Sequence, residues 1–301
     1  MRIVCVVSFL NEARHLGTFL ASMAAQLRFP DLLLLIDDGS SDASPQIAAE
    51  FAAQHDGVRV LSRPRRPPTR DRLAEANELR AFLWGCEQID VPWDIVVKMD
   101  ADLALSGDLF ETMERAFLGK PTLGMAGSYL SVIDERTGRA RREPCLPNHV
   151  RGPTKFYRRG CFEQISPLPT FLGWDTIDEI TARMHGWDAL SIACPEGDTI
   201  HLRPTGHLDG RLRAQYRWGI CAYRIGQHPL WVLLSVGRRM GDRPRLFASL
   251  AFLAGWMSSA LRRDQRAAPA VLAHGRSEQL AELRSRARAL AFTRRKSEIA
   301  V

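Results

Sequence analysis

Hydrophobic and polar positions follow two distinct patterns along the first 130 residues. Short apolar runs are typical of buried strands, and the stretches between them space their apolar residues as amphipathic helices do. The predicted strands cover residues 2–9, 32–37, 58–62, 94–99 and 122–131. The predicted helices cover residues 13–26, 44–54, 71–87 and 107–117. This alternation predicts an α/β fold with a mostly parallel central sheet and helices on both faces.

The pattern is less regular after the fifth predicted strand. Residues 134–153 are polar and rich in turn formers, which predicts a hairpin or a loop. A helix is predicted over residues 175–185, where Gly186 can supply the C-terminal cap. The remaining predicted strands are 189–193 and 199–202. We expect residues 1–210 to form one domain.

Residues 211–301 differ in both pattern and charge, and we expect them to form a helical, basic C-terminal region. The apolar segments 229–236 and 246–261 are flanked by arginines, and neither reaches the ~20 apolar residues that span a bilayer. From residue 203 onward the chain has 19 Lys and Arg against 6 Asp and Glu, whereas residues 1–202 have 22 against 28. This region fits peripheral contact with an anionic membrane, and it fits equally a helical subdomain packed on the core. Both interpretations remain open at this point.

The composition is that of an ordinary globular protein, with 46% hydrophobic and 25% charged residues. Six scattered cysteines contain no Cys-x-x-Cys pair, which disfavours a zinc site and a disulfide framework. The apolar N-terminal run reaches Asn11-Glu12 too soon for a secretory signal. We therefore expect a cytoplasmic protein, with the membrane contact, if it forms, on the cytoplasmic face.

Acidic residues collect where predicted strands end. Residues 37–39 (Asp-Asp-Gly) end the second strand, and residues 100–102 (Asp-Ala-Asp) follow the fourth. Because ligands of such sheets bind beyond the carboxyl ends of the strands, we expect these carboxylates to line one site. Two carboxylates of this kind can hold a hard divalent cation together with phosphate oxygens of a substrate. Residues 175–179 (Asp-Thr-Ile-Asp-Glu) form a third acidic group.

Together these segments resemble the inverting family 2 glycosyltransferases of the GT-A fold. The matching segments are Asn11-Glu12, residues 36–42, residues 98–103, residues 173–179, Gly186-Trp187 and residues 201–206. The resemblance covers roughly residues 2–210 and implies a Rossmann-like domain that transfers a sugar from a nucleotide-sugar donor, of the UDP type, to a glycan or lipid-linked acceptor. It also implies a Mg²⁺ or Mn²⁺ cofactor and a place in the synthesis of a surface polysaccharide or glycolipid. No nucleic-acid partner is expected.

The resemblance implies a role for each matching residue. Asp102 is expected to hold the metal ion, and Asp100 is expected to assist through water or a ribose hydroxyl. His201 is expected to be a further metal ligand or a hydrogen-bond donor to the diphosphate, and His207 is the alternative to it. The residues expected to contact the nucleotide sugar are Asn11, Glu12, Asp37, Asp38, Gly39, Asp100 and Arg203.

Inverting transfer also needs a base that takes the proton of the acceptor hydroxyl. By resemblance Asp175 is the first candidate, although Trp174 stands where the family usually has the Glu of a Glu-Asp pair. Asp178 lies three residues on, on the same side of the predicted helix, and is the second candidate; Glu179 is the third. Alternatively, these acids only stabilise the N-terminus of the helix.

Two other classes of function would use some of the same residue types. A nucleotidyltransferase also uses paired aspartates and a metal, but it should have a glycine-rich basic loop after the first strand, where residues 8–12 read Ser-Phe-Leu-Asn-Glu. A non-catalytic binder of anionic membrane or nucleic acid would use the basic region from residue 211. That interpretation leaves the spaced acids of the first 180 residues unexplained.

Overall fold

The computed structural model describes residues 1–64, 71, 74–134, 137–203, 210–241 and 246–299, the side chains of 287 and 289–299 excepted. The chain divides into two compact units, Met1–His207 and Leu208–Val301. His207, the alternative to His201 as a metal ligand, lies outside the described residues.

The first half of the first unit alternates strands and helices as the hydrophobic pattern predicts. Its strands are β1 (Ile3–Phe9), β2 (Leu32–Asp37), β3 (Val58–Ser62), β4 (Ile95–Asp100) and the two-residue β5 (Leu103–Ala104). Its helices are α1 (Ala13–Ala24), α2 (Ser44–Ala52), α3 (Asn77–Glu87) and α4 (Leu109–Gly119). Helix α3 begins later than the predicted residue 71, because the Asp71 side chain caps a turn and Ala76 has a left-handed backbone with φ of 48°.

The second half of the unit departs more from the prediction. Its strands are β6 (Leu123–Ser128), β7 (Leu130–Ile133), β8 (Ala140–Arg142), β9 (Thr154–Arg158), β10 (Asp188–Ile192) and β11 (Thr199–His201). Its helices are α5 (Arg159–Ile165) and α6 (Trp174–Met184). The single strand predicted over residues 122–131 is in fact two strands, β6 and β7, which belong to different sheets. Strand β9 and helix α5 were not predicted.

A seven-stranded sheet forms the centre of the described part of this unit, in the order β10-β6-β9-β4-β1-β2-β3. All neighbours pair in parallel except β9, which runs antiparallel to both β4 and β6. A second sheet has the order β5-β11-β7-β8. The prediction of an α/β fold with a mostly parallel sheet is therefore confirmed.

Strand β1 is apolar on both faces because each face supports a separate core. Cys5 and Val7 belong to the core on one face, and Val4 and Val6 belong to the core on the other face with Phe82 of α3. A strand buried on both sides reads as a continuous apolar run, as expected for a central parallel strand. Such strands leave their polar residues at their ends, where the candidate site lies.

The second unit is helical over its described residues, with α7 (Arg211–Arg224), α8 (Pro229–Arg239), α9 (Phe247–Leu261) and α10 (Pro269–Ile299). Helices α7 and α9 pack backbone to backbone through two glycines. A Cβ atom added to Gly219 would lie 1.9 Å from the Phe252 carbonyl oxygen, and one added to Gly255 would lie 2.0 Å from the Tyr216 carbonyl oxygen. None of the described helices has both the length and the apolar character needed to cross a membrane.

Candidate active site

The loops that follow β1 and β2 are joined to each other by hydrogen bonds. Their strands are parallel neighbours that pair Phe9 with Asp37, so the two loops leave the same edge of the sheet. The Asn11 backbone N–H donates to Ser40 Oγ at 3.0 Å, and the Ser41 N–H donates to Asn11 Oδ1 at 2.8 Å. Asn11 has φ of 54°, a left-handed conformation that asparagine tolerates better than most residues. The predicted nucleotide-binding residues 11 and 37–39 thus lie side by side.

Asp37 and Asp38 both fix the shape of their loop. Asp37 Oδ1 accepts a hydrogen bond from the Ser40 backbone N–H at 2.8 Å, closing a turn in which Gly39 has φ of 92°. That backbone conformation favours glycine. Asp38 Oδ1 accepts from Nη1 of the buried Arg63 at 2.8 Å. A role for these residues in binding the donor remains a prediction.

Strand pairing in the second sheet brings His201 next to Asp102. Strand β5 follows Asp102 directly and pairs antiparallel with β11, so that Leu103 lies opposite His201. The Leu202 N–H donates to the Asp102 carbonyl oxygen at 2.9 Å. As a result, His201 Nε2 lies 3.6 Å from Asp102 Oδ2, although the two residues are far apart in sequence.

Arg203 joins this pair to the loop after β1. Its Nε and Nη2 atoms donate to Asp102 Oδ2 at 3.1 and 3.0 Å, and Nη2 also donates to Glu12 Oε1. Glu12, Asp102, His201 and Arg203 therefore form one cluster, which we call the edge cluster. Its members come from three separate segments of the chain, as the resemblance implies.

Charges within the edge cluster shift the pKa values of its members. Burial disfavours the charged form of Asp102, but hydrogen bonds and charge from His201 and Arg203 outweigh it and lower the Asp102 pKa. Burial also disfavours the charged form of His201, which by itself would lower its pKa. The carboxylates of Asp102 and Glu143 outweigh this effect and raise the His201 pKa to about 9. Burial raises the pKa of Glu12 in spite of Arg203.

Glu143 and Arg151 extend the cluster, and neither residue was predicted from the sequence. Glu143 Oε2 lies 3.9 Å from His201 Nδ1, on the opposite side of the ring from Asp102, and accepts a hydrogen bond from Arg151 Nη1. A carboxylate in this position commonly orients a metal-binding histidine. No motif marks Glu143, which lies in the polar segment predicted as a hairpin or loop.

The donor atoms present suit a hard divalent cation. Asp102 and Asp100 offer carboxylate oxygens and His201 offers Nε2, ligand types that Mg²⁺ or Mn²⁺ accept. Across the described ranges, no group of three or more His, Cys, Asp or Glu is arranged to hold a metal ion. Asp102 is instead paired with Arg203, and Asp100 Oδ1 with Lys98 Nζ. These residue types fit a Mg²⁺ or Mn²⁺ cofactor. Binding of the cation would replace the Asp102–Arg203 and Asp100–Lys98 ion pairs with metal coordination.

A short chain of contacts leads from Asp100 to Asp175. Lys98 Nζ, which contacts Asp100, also donates to the Gly152 carbonyl oxygen at 3.1 Å. The Asp100 N–H donates to the Pro153 carbonyl oxygen at 3.0 Å. A Cβ atom on Gly152 would lie 3.5 Å from Asp175 Oδ2, so the Asp175 carboxylate lies against this segment. The predicted donor-side and acceptor-side acids thus share one edge of the sheet.

A buried lysine organises the N-terminal turns of α6. Lys155 Nζ donates to both carboxylate oxygens of Asp178 at 2.8 Å and to the Asp175 carbonyl oxygen at 2.6 Å. Tyr157 OH donates to Asp178 Oδ2 at 2.8 Å, and Glu179 Oε1 lies 3.4 Å from Lys155 Nζ. Burial raises the pKa of Asp178 to about 6, against the opposing effect of Lys155.

This arrangement separates the three candidates for the base. Asp178 and Glu179 are only 1% and 2% exposed, and an acceptor hydroxyl could reach them only by breaking a buried ion pair. Asp175 is partly exposed. The geometry therefore disfavours the second and third candidates and leaves Asp175 as the accessible carboxylate of the three.

Trp174, which departs from the family pattern, is a buried packing residue. Its ring lies 5.7 Å from Lys98 Nζ and 5.4 Å from Lys155 Nζ, measured to the ring centroid. Its Nε1 donates to Glu78 Oε1 at 3.3 Å. A tryptophan here takes part in cation–π contacts with both lysines.

Comparison with solved structures identifies the fold as that of the GT-A glycosyltransferases. A mannosyltransferase from Pyrobaculum calidifontis, in complex with GDP-Man and Mn²⁺, superimposes with a TM-score of 0.55 at 18% identity, covering 97% of this chain and 80% of that one. Glucosyl-3-phosphoglycerate synthase from Mycobacterium tuberculosis, in complex with Mn²⁺, UDP-Glc and phosphoglyceric acid, gives 0.51 at 20% identity, covering 73% and 78%. S. aureus TarS 1–349, in complex with UDP-GlcNAc, gives 0.51 at 15% identity, covering 74% and 66%.

The family assignment rests on the sequence. Residues 4–179 match the family described as glycosyl transferase family 2, and this match spans more than half of the chain. No curated protein sequence gives a significant match. The chain belongs to glycosyl transferase family 2 and is a glycosyltransferase that uses a nucleotide sugar. The nucleotidyltransferase and non-catalytic interpretations are therefore set aside.

Proposed function

We propose that this chain is a metal-dependent, inverting glycosyltransferase that moves one sugar from a UDP-sugar to a glycan or lipid-linked acceptor. The chemistry is assigned to residues 1–210, in the cytoplasm, within the synthesis of a surface polysaccharide or glycolipid. The observation that carries the proposal is the edge cluster, because it gathers acidic and basic side chains where ligands of such sheets bind. Complexes of similar fold hold GDP-Man, UDP-Glc or UDP-GlcNAc, which supports a nucleoside diphosphate sugar as the donor, and the choice of UDP rests on the family resemblance.

Asp102 and His201 would hold the metal ion, with Asp100 beside them. When bound, Mg²⁺ or Mn²⁺ stabilises the negative charge that develops on the diphosphate as the glycosidic bond breaks. Arg203 now contacts Asp102 through a guanidinium that can also bind a diphosphate in a bidentate manner. Glu143 would keep the His201 ring oriented through Nδ1.

Asp175 would act as the base for the acceptor hydroxyl. Its side chain is partly exposed beside Gly152, and its backbone is held by Lys155. Asp178 and Glu179 would serve as positioning residues that keep Lys155 in place, because both are buried against it. Asn11, Asp37, Asp38 and Gly39 would shape the pocket for the nucleoside.

The test is a nucleotide-release assay on a panel of nucleotide sugars with glycan and lipid-linked acceptors, with Mn²⁺ or with chelator. Asp102→Asn should lose metal-dependent release by at least about a hundredfold, because charge stabilisation in an active site is worth several kcal/mol. Asp90→Asn is the matched control, since Asp90 forms an exposed ion pair with Arg59. Full metal-dependent activity in Asp102→Asn would refute the proposal.

A further inference from the structure

The second unit exposes apolar side chains that its own packing leaves uncovered. Along α9, one side of the helix is buried and the other carries a regular apolar stripe, with successive members three or four residues apart. The exposed members are Phe247, Leu250, Ala254, Met257 and Leu261. Leu261 is 82% exposed and Phe247 is 62% exposed. A helix that is apolar all round is normally buried, so this stripe needs a partner.

Helix α8 also carries an exposed apolar stripe. Leu230, Leu233 and Leu234 are exposed at positions i, i+3 and i+4, while Val232 packs into a small core with Phe252 of α9. Isolated exposed leucines are common on protein surfaces, but here two helices that pack against each other both carry an exposed apolar stripe.

Arginines adjoin both stripes. Arg238 is exposed at the end of α8, and Arg262 and Arg263 are exposed directly after Leu261 at the end of α9. The chain from residue 203 has 19 basic against 6 acidic residues. Apolar side chains next to clustered arginines are complementary to the interface of an anionic bilayer, where acyl chains lie beside negative headgroups.

We propose that the α8–α9 surface, defined by Leu230, Leu233, Leu234, the α9 stripe and Arg238, Arg262 and Arg263, binds the interface of an anionic lipid bilayer. At about 1.5 Å per residue α9 is roughly 22 Å long, shorter than the ~30 Å hydrocarbon core, so it lies along the interface. A second copy of the chain is a poorer occupant, because pairing would bring two strongly basic regions together. The inference concerns the second unit and does not rest on the proposed sugar chemistry.

The test is co-sedimentation of the full-length protein with phosphatidylcholine vesicles that contain or lack phosphatidylglycerol. We expect binding only to the anionic vesicles, weakened by raised salt because headgroup attraction is screened. Leu250→Gln combined with Met257→Gln should weaken binding at least about tenfold, since each removes an apolar side chain from the lipid contact. Leu118→Gln is the matched control, because Leu118 is 64% exposed on α4 of the first unit.

A second pair of measurements separates this inference from the proposed function and from loss of fold. The Leu250/Met257 variant should keep the wild-type circular dichroism spectrum and the wild-type rate of nucleotide release with a soluble acceptor. Failure of the wild type to bind anionic vesicles would overturn the inference. So would equal binding by the variant, or a concentration-dependent dimer that the variant abolishes, since the surface would then join two copies.

Discussion

Lys155→Met should destabilise the first unit more than any surface substitution. Lys155 is fully buried on the interior strand β9, and its ammonium is within 3.4 Å of both Asp178 and Glu179. Methionine matches the length of the side chain but leaves the buried Asp178 carboxylate without its cation, whereas Glu179 keeps its contacts with His149 and Arg183. Removing one partner of a buried ion pair costs about 3–5 kcal/mol. That is a large part of the ~5–15 kcal/mol by which a domain is usually stable.

The assay is urea unfolding followed by circular dichroism and tryptophan fluorescence. Trp174 lies 5.4 Å from Lys155 Nζ and should report the local change. Arg59→Met is the matched control, because Arg59 and Asp90 form an ion pair of similar length that is exposed to solvent. Exposed pairs contribute at most about 1 kcal/mol, so the control should unfold almost as the wild type does.

The double variant Lys155→Met/Asp178→Asn tests the cause. The substituted asparagine carries no charge and can still accept the Tyr157 hydroxyl, while Glu179 keeps its hydrogen bonds from His149 and the Val150 N–H. We expect the double variant to be more stable than Lys155→Met by about 1 kcal/mol or more. A loss below about 1 kcal/mol in the single variant, or no recovery in the double variant, would refute the argument that burial of these charges controls stability.

Three further predictions address the base, the pH dependence and the second unit. Asp175→Asn should lower sugar transfer about a hundredfold or more while the donor dissociation constant from calorimetry stays near wild type; loss of donor binding would instead indicate a structural acid. Burial disfavours the charged form of His149, but the hydrogen bond to Glu179 outweighs burial and raises the His149 pKa above 6.5. The free energy of unfolding should therefore fall as pH rises from about 6.5 through that raised pKa. His149→Gln should remove the His149 contribution to this dependence and leave that of His201, whose pKa is also raised. A pH profile identical to that of the wild type would contradict the prediction. Gly219→Ala should lower Tm by several degrees, because the added Cβ would collide with helix α9. Gly237→Ala is the control, since its Cβ would enter open space, and it should leave Tm equal or slightly higher. Equal effects of the two variants in thermal scans would argue against the close α7–α9 contact.

The predictable part of the fold is the part whose strands are apolar on both faces. Strands β1 and β2 are mostly apolar, and before its terminal aspartate β4 is interrupted only by Lys98, so the ends of these strands, and the acids near them, could be placed from the sequence. The pairing of His201 with Asp102 was expected only through resemblance, because it depends on the two-residue strand β5. So short an element leaves no periodic signal.

Strand β9 was missed because three of its five residues, Thr154, Lys155 and Arg158, are polar or charged. Lys155 lies in Thr-Lys-Phe-Tyr-Arg, a segment whose polar residues suggested a solvated loop. The lysine is acceptable there only because Asp178 and Glu179, more than twenty residues later, neutralise it. Charge compensation between distant segments is invisible to local pattern analysis. The same contacts bury Asp178 and Glu179, the second and third candidates for the base.

Two buried lysines connect the two halves of the proposed site. Lys98 and Lys155 pair directly across β4 and β9, and both ammonium groups contact the ring of Trp174. Lys98 holds the Asp100 carboxylate and Lys155 holds the backbone of Asp175. Because each ammonium has its own carboxylate and shares one aromatic ring, the like charges can lie close together. Because β4 and β9 pair directly, the sheet fixes the positions of the two lysines that contact Asp100 and Asp175, the acids proposed for the donor side and the acceptor side.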